Sequence, residues 1–218
     1  MARKTGSVPE RKTGSVPERD TGTRVVLVRH GQSTWNADGR WQGQADPPLS
    51  ERGEDQAREA ATRVHDVHAV WSSDLARARR TAELVAEPKR LEVHVDPRLR
   101  ERHAGPWEGL TRAEIDSRWP DHLSTGRRPD GYEPDDEVAA RALAVLDDLA
   151  RAHAGEQVLV VTHGGIVRVL ERHLGATDGG LLPNLSGRVL HADGDGTWRL
   201  GERVLLLSDD SVTVPRQL

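Results

Sequence analysis

The stretch Arg24-Val-Val-Leu-Val-Arg-His-Gly31 decides the architecture. Four apolar residues, three of them β-branched, form a run too short for a helix. The run stops abruptly at Arg-His-Gly, the pattern of a buried strand that delivers a loop. Val158-Leu-Val-Val-Thr-His-Gly-Gly165 repeats the theme, and a helical pattern through Val167 and Leu170 follows it. Between these two strands the spacing predicts a helix over 50–64, with Ala57, Ala60, Ala61 and Val64 on one face, and a short strand over 69–72. A second helix is expected over 74–87, where Leu75, Ala78, Ala82 and Val85 recur every three or four residues, and then an alternating strand over 91–95.

Thr111-Arg-Ala-Glu114 has the form of a capping box, in which hydroxyl and carboxylate each satisfy the other's backbone donor, so a helix starts there and Pro120 ends it. Residues 120–134, rich in Pro, Gly and charge, read as an exposed excursion before a long amphipathic helix through Val138, Leu143, Leu146 and Leu149. The tail from Arg188 to Ser208 reads as one or two strands around the turn Asp193-Gly-Asp-Gly196. This alternation predicts an α/β fold: a three-layer sandwich whose mostly parallel central sheet carries helices on both faces.

The chain has 218 residues and no cysteine, which excludes disulfide scaffolds, thiolate zinc sites, iron–sulfur clusters and cysteine nucleophiles. A net charge of −4 argues against a uniformly basic nucleic-acid surface. No apolar run reaches the roughly 18 residues that a membrane span needs, and no hydrophobic stretch opens the chain as a secretory signal, so a cytoplasmic location is expected. Residues 3–10 and 11–18 are an identical tandem octapeptide, Arg-Lys-Thr-Gly-Ser-Val-Pro-Glu. Residues 1–23 therefore read as a flexible leader, with an arm docked on a neighbouring subunit as the alternative, and residues 24–218 as a single domain.

Open parallel sheets bind ligands beyond the carboxyl ends of their strands, and here two strands both end in histidine and glycine. That combination suits phosphate. A neutral imidazole attacks phosphorus and carries the phosphoryl group covalently, while an adjacent guanidinium forks onto the non-bridging oxygens.

Leu27-Val-Arg-His-Gly-Gln-Ser-Thr-Trp-Asn36 resembles the signature of the histidine phosphatase superfamily, also called phosphoglycerate mutase-like. Gln42-Gly43, Asp46-Pro-Pro-Leu-Ser50, the block Ser72–Ala82, Leu99-Arg-Glu101 with Gly105-Pro-Trp-Glu-Gly109, and Thr162-His-Gly-Gly165 follow in the order of that family. The resemblance implies that His30 is the phosphorylated nucleophile and that Arg29, Arg79 and His163 complete its phosphate pocket. It further implies that Asn36, Gln42 and Gly43 meet the substrate, that Gly164 offers a backbone amide, and that Glu101 is the general acid and then the base.

Arg79 stands on an arginine-rich helix beside Arg77 and Arg80, where a solvated role competes with a catalytic one. Glu101 stands among Arg98, Arg100 and Arg102, where a surface ion pair competes, and Glu108 is an alternative acid. Trp41, Trp107 and Trp119 are candidates for the pocket mouth or for packing. His65 with His68, and the Asp193 turn, are weak metal patterns, and neither a metal nor a cofactor is expected.

Mutases of this family carry a longer cap between the acid and the second histidine. The short interval from Glu101 to His163 therefore favours hydrolysis over mutase chemistry, with a non-catalytic phospho-ligand binder as a reading of another class. Arg98 to Gly109 and Arg40 to Gln44 look most like the broad-specificity branch that includes glucosyl-3-phosphoglycerate phosphatases. The loop Gly131-Tyr-Glu-Pro-Asp135 departs from the Gly-Gly-Glu-Ser block of many members, and Arg127 and Arg128 nearby could meet an acidic substrate. The expected partner is a small phosphorylated substrate. Neither nucleic acid nor membrane is expected, and a homodimer is left open.

Overall fold

The computed structural model describes residues 22–194 and 196–214, so residues 1–21 of the expected leader, with the repeat, lie outside the described residues, and Thr23 at its end already belongs to the first strand. Among the described residues six strands form one sheet: β1 (Thr23–Arg29), β2 (Ala69–Ser72), β3 (Val93–Val95), β4 (Gln157–Thr162), β5 (Ser186–Ala192) and β6 (Trp198–Leu205). Their spatial order is β3-β2-β4-β1-β5-β6. The first four run parallel, and β5 and β6 add an antiparallel edge.

Among the described residues seven α-helices accompany the sheet: α1 (Thr34–Ala37), α2 (Glu51–Arg63), α3 (Ala76–Ala86), α4 (Arg112–Arg118), α5 (His122–Thr125), α6 (Asp135–Ala152) and α7 (Gly164–His173). The pleat sorts the central strands between two cores. Val25, Leu27, Val158 and Val160 pack with Val138, Leu146 and Leu149 of α6 and Ile166 and Leu170 of α7. Val26, Val28, Leu159 and Val161 pack on the other face with Ala60 and Ala61 of α2 and Ala78, Ala82 and Val85 of α3. Strands buried on both sides explain why the opening run is apolar without alternation.

A third cluster, Ala104, Trp107 and Ile115, with Trp41, Trp119, Leu123 and Tyr132 against it, supports the excursion. That segment is not wholly irregular, since it holds the single turn α5. Thr111 and Glu114 make the expected capping box at the start of α4. The strand expected over 91–95 shortens to Val93–Val95 because Arg90 turns left-handed (φ 56°) and the Leu91 amide closes back on the Ala86 carbonyl. The Asp193 turn closes the hairpin between β5 and β6, and its carboxylate pairs with Arg199.

Candidate active site

β1 and β4 are adjacent, and their register sets Arg29 opposite Thr162. His30 and His163 therefore leave the sheet side by side. Their ring centroids lie 5.2 Å apart in an edge-on arrangement, and both residues are buried.

Two contacts fix the tautomer of His30. Its Nδ1 lies 2.6 Å from the Gly31 carbonyl, which accepts only, so Nδ1 carries the proton. Nε2 then keeps its lone pair and accepts from Arg77 Nε at 3.2 Å. Burial, reinforced by the charges of Arg77 and Arg29, pushes the His30 pKa well below its ordinary value and keeps the imidazole neutral. His163 is depressed in the same way, first by burial and then by Arg77. Among the described residues neither of its ring nitrogens has a hydrogen-bond partner.

Arg77, on the inner face of α3, is the arginine that closes the pocket. It is fully buried, and it donates to the carbonyls of Gly43 (2.9 Å) and Ala45 (2.7 Å) as well as to His30. Arg79 does not enter the site, which corrects the expectation from the sequence block. Two residues further along a helix is a rotation of about 200°, and that places Arg79 on the outer face, where it pairs with Glu83 one turn on. Burial lowers Arg29 to about 9 and Arg77 to about 10. Arg29 donates to the Leu182 carbonyl at 3.0 Å.

Among the described residues Glu101 is not part of a surface ion pair. Arg98 turns to Asp96 and Asp148, Arg100 to Asp74, and Arg102 to Asp135. The Glu101 carboxylate instead accepts from the backbone amides of Arg102 (2.8 Å) and Gly165 (2.9 Å), which ties it to the first turn of α7 beside the histidines. Glu108 is a brace: its Oε1 accepts from the amides of Gln44 and Ala104, under the left-handed Gly43 (φ 52°).

Arg29, His30, Gln42, Gly43, Glu101 and Gly164 all line one cavity of about 810 Å³. Asn36 is buried behind the cavity wall, where its Oδ1 accepts from the amides of Ser33 and Asn184. Gln42 Oε1 accepts from the Ser33 hydroxyl at 2.6 Å. Trp41 lines the cavity, whereas Trp107 is fully buried beneath it and Trp119 packs in the same cluster. Arg128 reaches the wall and lies over the rings of Trp107 and Tyr132. Seven arginines and three carboxylates line this space, so an acidic protein presents a locally cationic pocket.

Two contributors carried no motif signal. Arg141 of α6 donates to the carbonyls of Arg98, Arg100 and Glu101 and so holds the Glu101 segment, while its pair with Glu133 anchors the other side. Asn184 is fully buried and donates to the His30 carbonyl at 2.9 Å, and Thr213 donates to its Oδ1 in turn. His68 Nδ1 accepts from the Gln157 amide, and among the described residues no group of three or more acidic, histidine or cysteine side chains could hold a metal ion. No helix among the described residues is long and apolar enough to cross a membrane.

Residues 25–199 match the family model of the histidine phosphatase superfamily, branch 1. The metal-independent phosphoserine phosphatase of Arabidopsis thaliana is 41% identical over 184 residues, which is 78% of this chain and 76% of that protein. A Photorhabdus laumondii protein described as "Probable phosphoglycerate mutase GpmB" is 44% identical over 153 residues, 65% of this chain and 69% of that protein. A mycobacterial glucosyl-3-phosphoglycerate phosphatase solved in complex with VO3 superposes with a TM-score of 0.75 at 35% identity, covering 82% of this chain and 97% of its own.

Proposed function

The chain belongs to the histidine phosphatase superfamily, and from that premise we propose that it hydrolyses small phosphomonoesters through a phosphoryl group carried on His30. The observation that carries this reading is the tautomer of His30: a neutral ring whose Nε2 lone pair is held beside the cavity by Arg77. Nε2 attacks phosphorus, and the P–O bond to the leaving group breaks. Glu101 gives its proton to the departing oxygen. The resulting carboxylate then takes a proton from water, whose oxygen displaces the phosphoryl group from His30 and releases phosphate. Arg29, Arg77 and His163 stabilise the charge on the transferring group, with the amides at the start of α7.

The protein is a phosphomonoesterase, with small phosphorylated metabolites as its substrate class. The relatives described as phosphoserine and glucosyl-3-phosphoglycerate phosphatases support that assignment. The relative described as a mutase keeps a transfer reaction as the second reading. In that reading a substrate hydroxyl takes the phosphoryl group in place of water. Between Glu101 and His163 the helices are α4 and α5, of seven and four residues, and α6, which packs against the sheet. This modest cover favours water.

The test is turnover of p-nitrophenyl phosphate in excess chelator by the intact protein and by His30→Ala. Activity that needs a metal, or that survives the substitution, sinks the mechanism. With 3-phosphoglycerate and catalytic bisphosphate, free phosphate is expected, and 2-phosphoglycerate would decide for the mutase.

A further inference from the structure

Gly164, Arg168 and Arg172 occupy successive turns of α7, and all three line the cavity. Side chains four apart on a helix share a face and stand about 6 Å apart along its axis, so beyond Gly164 α7 presents two arginines in line, leading outward from the phosphate site. The two arginines differ in what holds them. Arg172 pairs with Asp135 at 2.6 Å, and Arg102 shares that carboxylate. Arg168 is half-buried and has neither hydrogen bond nor ion pair among the described residues.

Among the described residues its surroundings offer no spare carboxylate. Glu101, the nearest acid in influence, spends its oxygens on the Arg102 and Gly165 amides. Glu133 belongs to Arg141, and Glu171 is buried with Arg188 and Arg203. Burial and the charge of Arg172 lower the Arg168 pKa, and the charge of Arg168 in turn helps to lower that of Arg29. Two guanidiniums that repel each other across a cavity are relieved by an anion between or beside them. The transferring phosphoryl group has Arg29, Arg77 and both histidines. Arg168, a turn further out, is left for a second charge.

We propose that Arg168 is a specificity residue, and that it binds a carboxylate carried by the substrate a few bonds from the phosphate ester. The preferred substrate class is then a phosphorylated hydroxy acid rather than an uncharged sugar phosphate. This rests on the phosphatase reading above and narrows it. A guanidinium forks onto a carboxylate with two parallel hydrogen bonds, and a site built for such a contact rejects an analogue that lacks it.

The experiment compares 3-phosphoglycerate with glycerol 3-phosphate, which carries no carboxylate. For the intact protein the ratio of kcat/KM, acid over alcohol, should be at least about tenfold. In Arg168→Gln that ratio should fall roughly 10- to 100-fold, with the loss carried by KM. Equal turnover of the two esters by the intact protein, or a ratio that Arg168→Gln leaves unchanged, overturns the proposal. Dissociation constants of both esters, measured in His30→Ala with and without Arg168→Gln, read the same ratio without turnover. A failure of the phosphatase reading would appear instead as absent p-nitrophenyl phosphate hydrolysis, with the binding ratio still in place.

Discussion

Arg77 donates its Nε–H to Nε2 of His30 at 3.2 Å, so the proposed charge-stabilising group and the proposed nucleophile are in direct contact. The contact holds the lone pair in place and also occupies it. In the proposed mechanism a phosphate draws the guanidinium onto its own oxygens and so frees the nitrogen. Substrate binding and nucleophile release thereby become one event.

Arg77→Ala should reduce kcat/KM for p-nitrophenyl phosphate about 10²- to 10³-fold, the scale of losing one preorganised charge donor. Arg79→Ala, which removes an exposed pair with Glu83, should stay within about twofold. Steady-state kinetics of the two variants decide which arginine belongs to the site.

The depressed histidines make stability depend on pH. His30 and His163 resist protonation in the folded protein, whereas the unfolded chain takes up protons below its ordinary histidine pKa of about 6.5. The unfolded state then binds more protons, so their effect is absent well above that pH, and stability falls as pH drops through it. Each histidine contributes a slope that is about 0.7 kcal/mol per pH unit at pH 6.5 and grows towards about 1.4 below it. Denaturant unfolding between pH 7 and pH 5.5 should show this slope, and His163→Asn should roughly halve it. In the same range the free-enzyme kcat/KM should not show an acid limb at 6.5, because His30 stays neutral.

Glu101→Gln should separate substrates by leaving group. An alkyl phosphate needs its departing oxygen protonated, and its hydrolysis should fall about 10²- to 10⁴-fold. A nitrophenolate leaves readily unprotonated and should lose far less in the phosphorylation step, which rapid-mixing measurement of nitrophenol release reads directly. Glu108→Gln, which disturbs a brace under Gly43, should lower Tm without this leaving-group dependence.

Two neighbouring glycines should respond differently to alanine. A Cβ at Gly165 would stand 2.1 Å from Glu101 Oε1, while one at Gly164 meets the Arg29 side chain at an ordinary 3.5 Å. Gly165→Ala must displace the Glu101 carboxylate, the proposed acid, and alkyl phosphate kcat should drop at least about tenfold. The drop for Gly164→Ala should be clearly smaller.

The layers were legible because Val25 to Val28 and Val158 to Val161 announce strands buried on both faces, with helical spacing between them. His30, His163 and Glu101 were reached through motif order. Arg79 was expected in the site from motif order, and the phase of the folded helix sets it outside. Arg79 stands four residues before Glu83, an exposed pair, whereas Arg77 stands four before Thr81, whose hydroxyl accepts from the Gly31 amide. Arg141, Asn184 and Arg168 had no such signal. Each acts through tertiary proximity, across separations of 40, 154 and 139 residues from Glu101, His30 and Arg29 respectively, and no local spacing encodes that.

The two histidine-bearing strands are neighbours in the sheet, yet 133 residues of chain separate the paired residues Arg29 and Thr162. Closing so long a loop is among the slower steps available to a folding chain. Catalytic competence is therefore a late property of this molecule. Refolded protein should regain helical signal before it regains turnover, and a nascent chain should hydrolyse nothing until β4 has been synthesised and has slotted in beside β1.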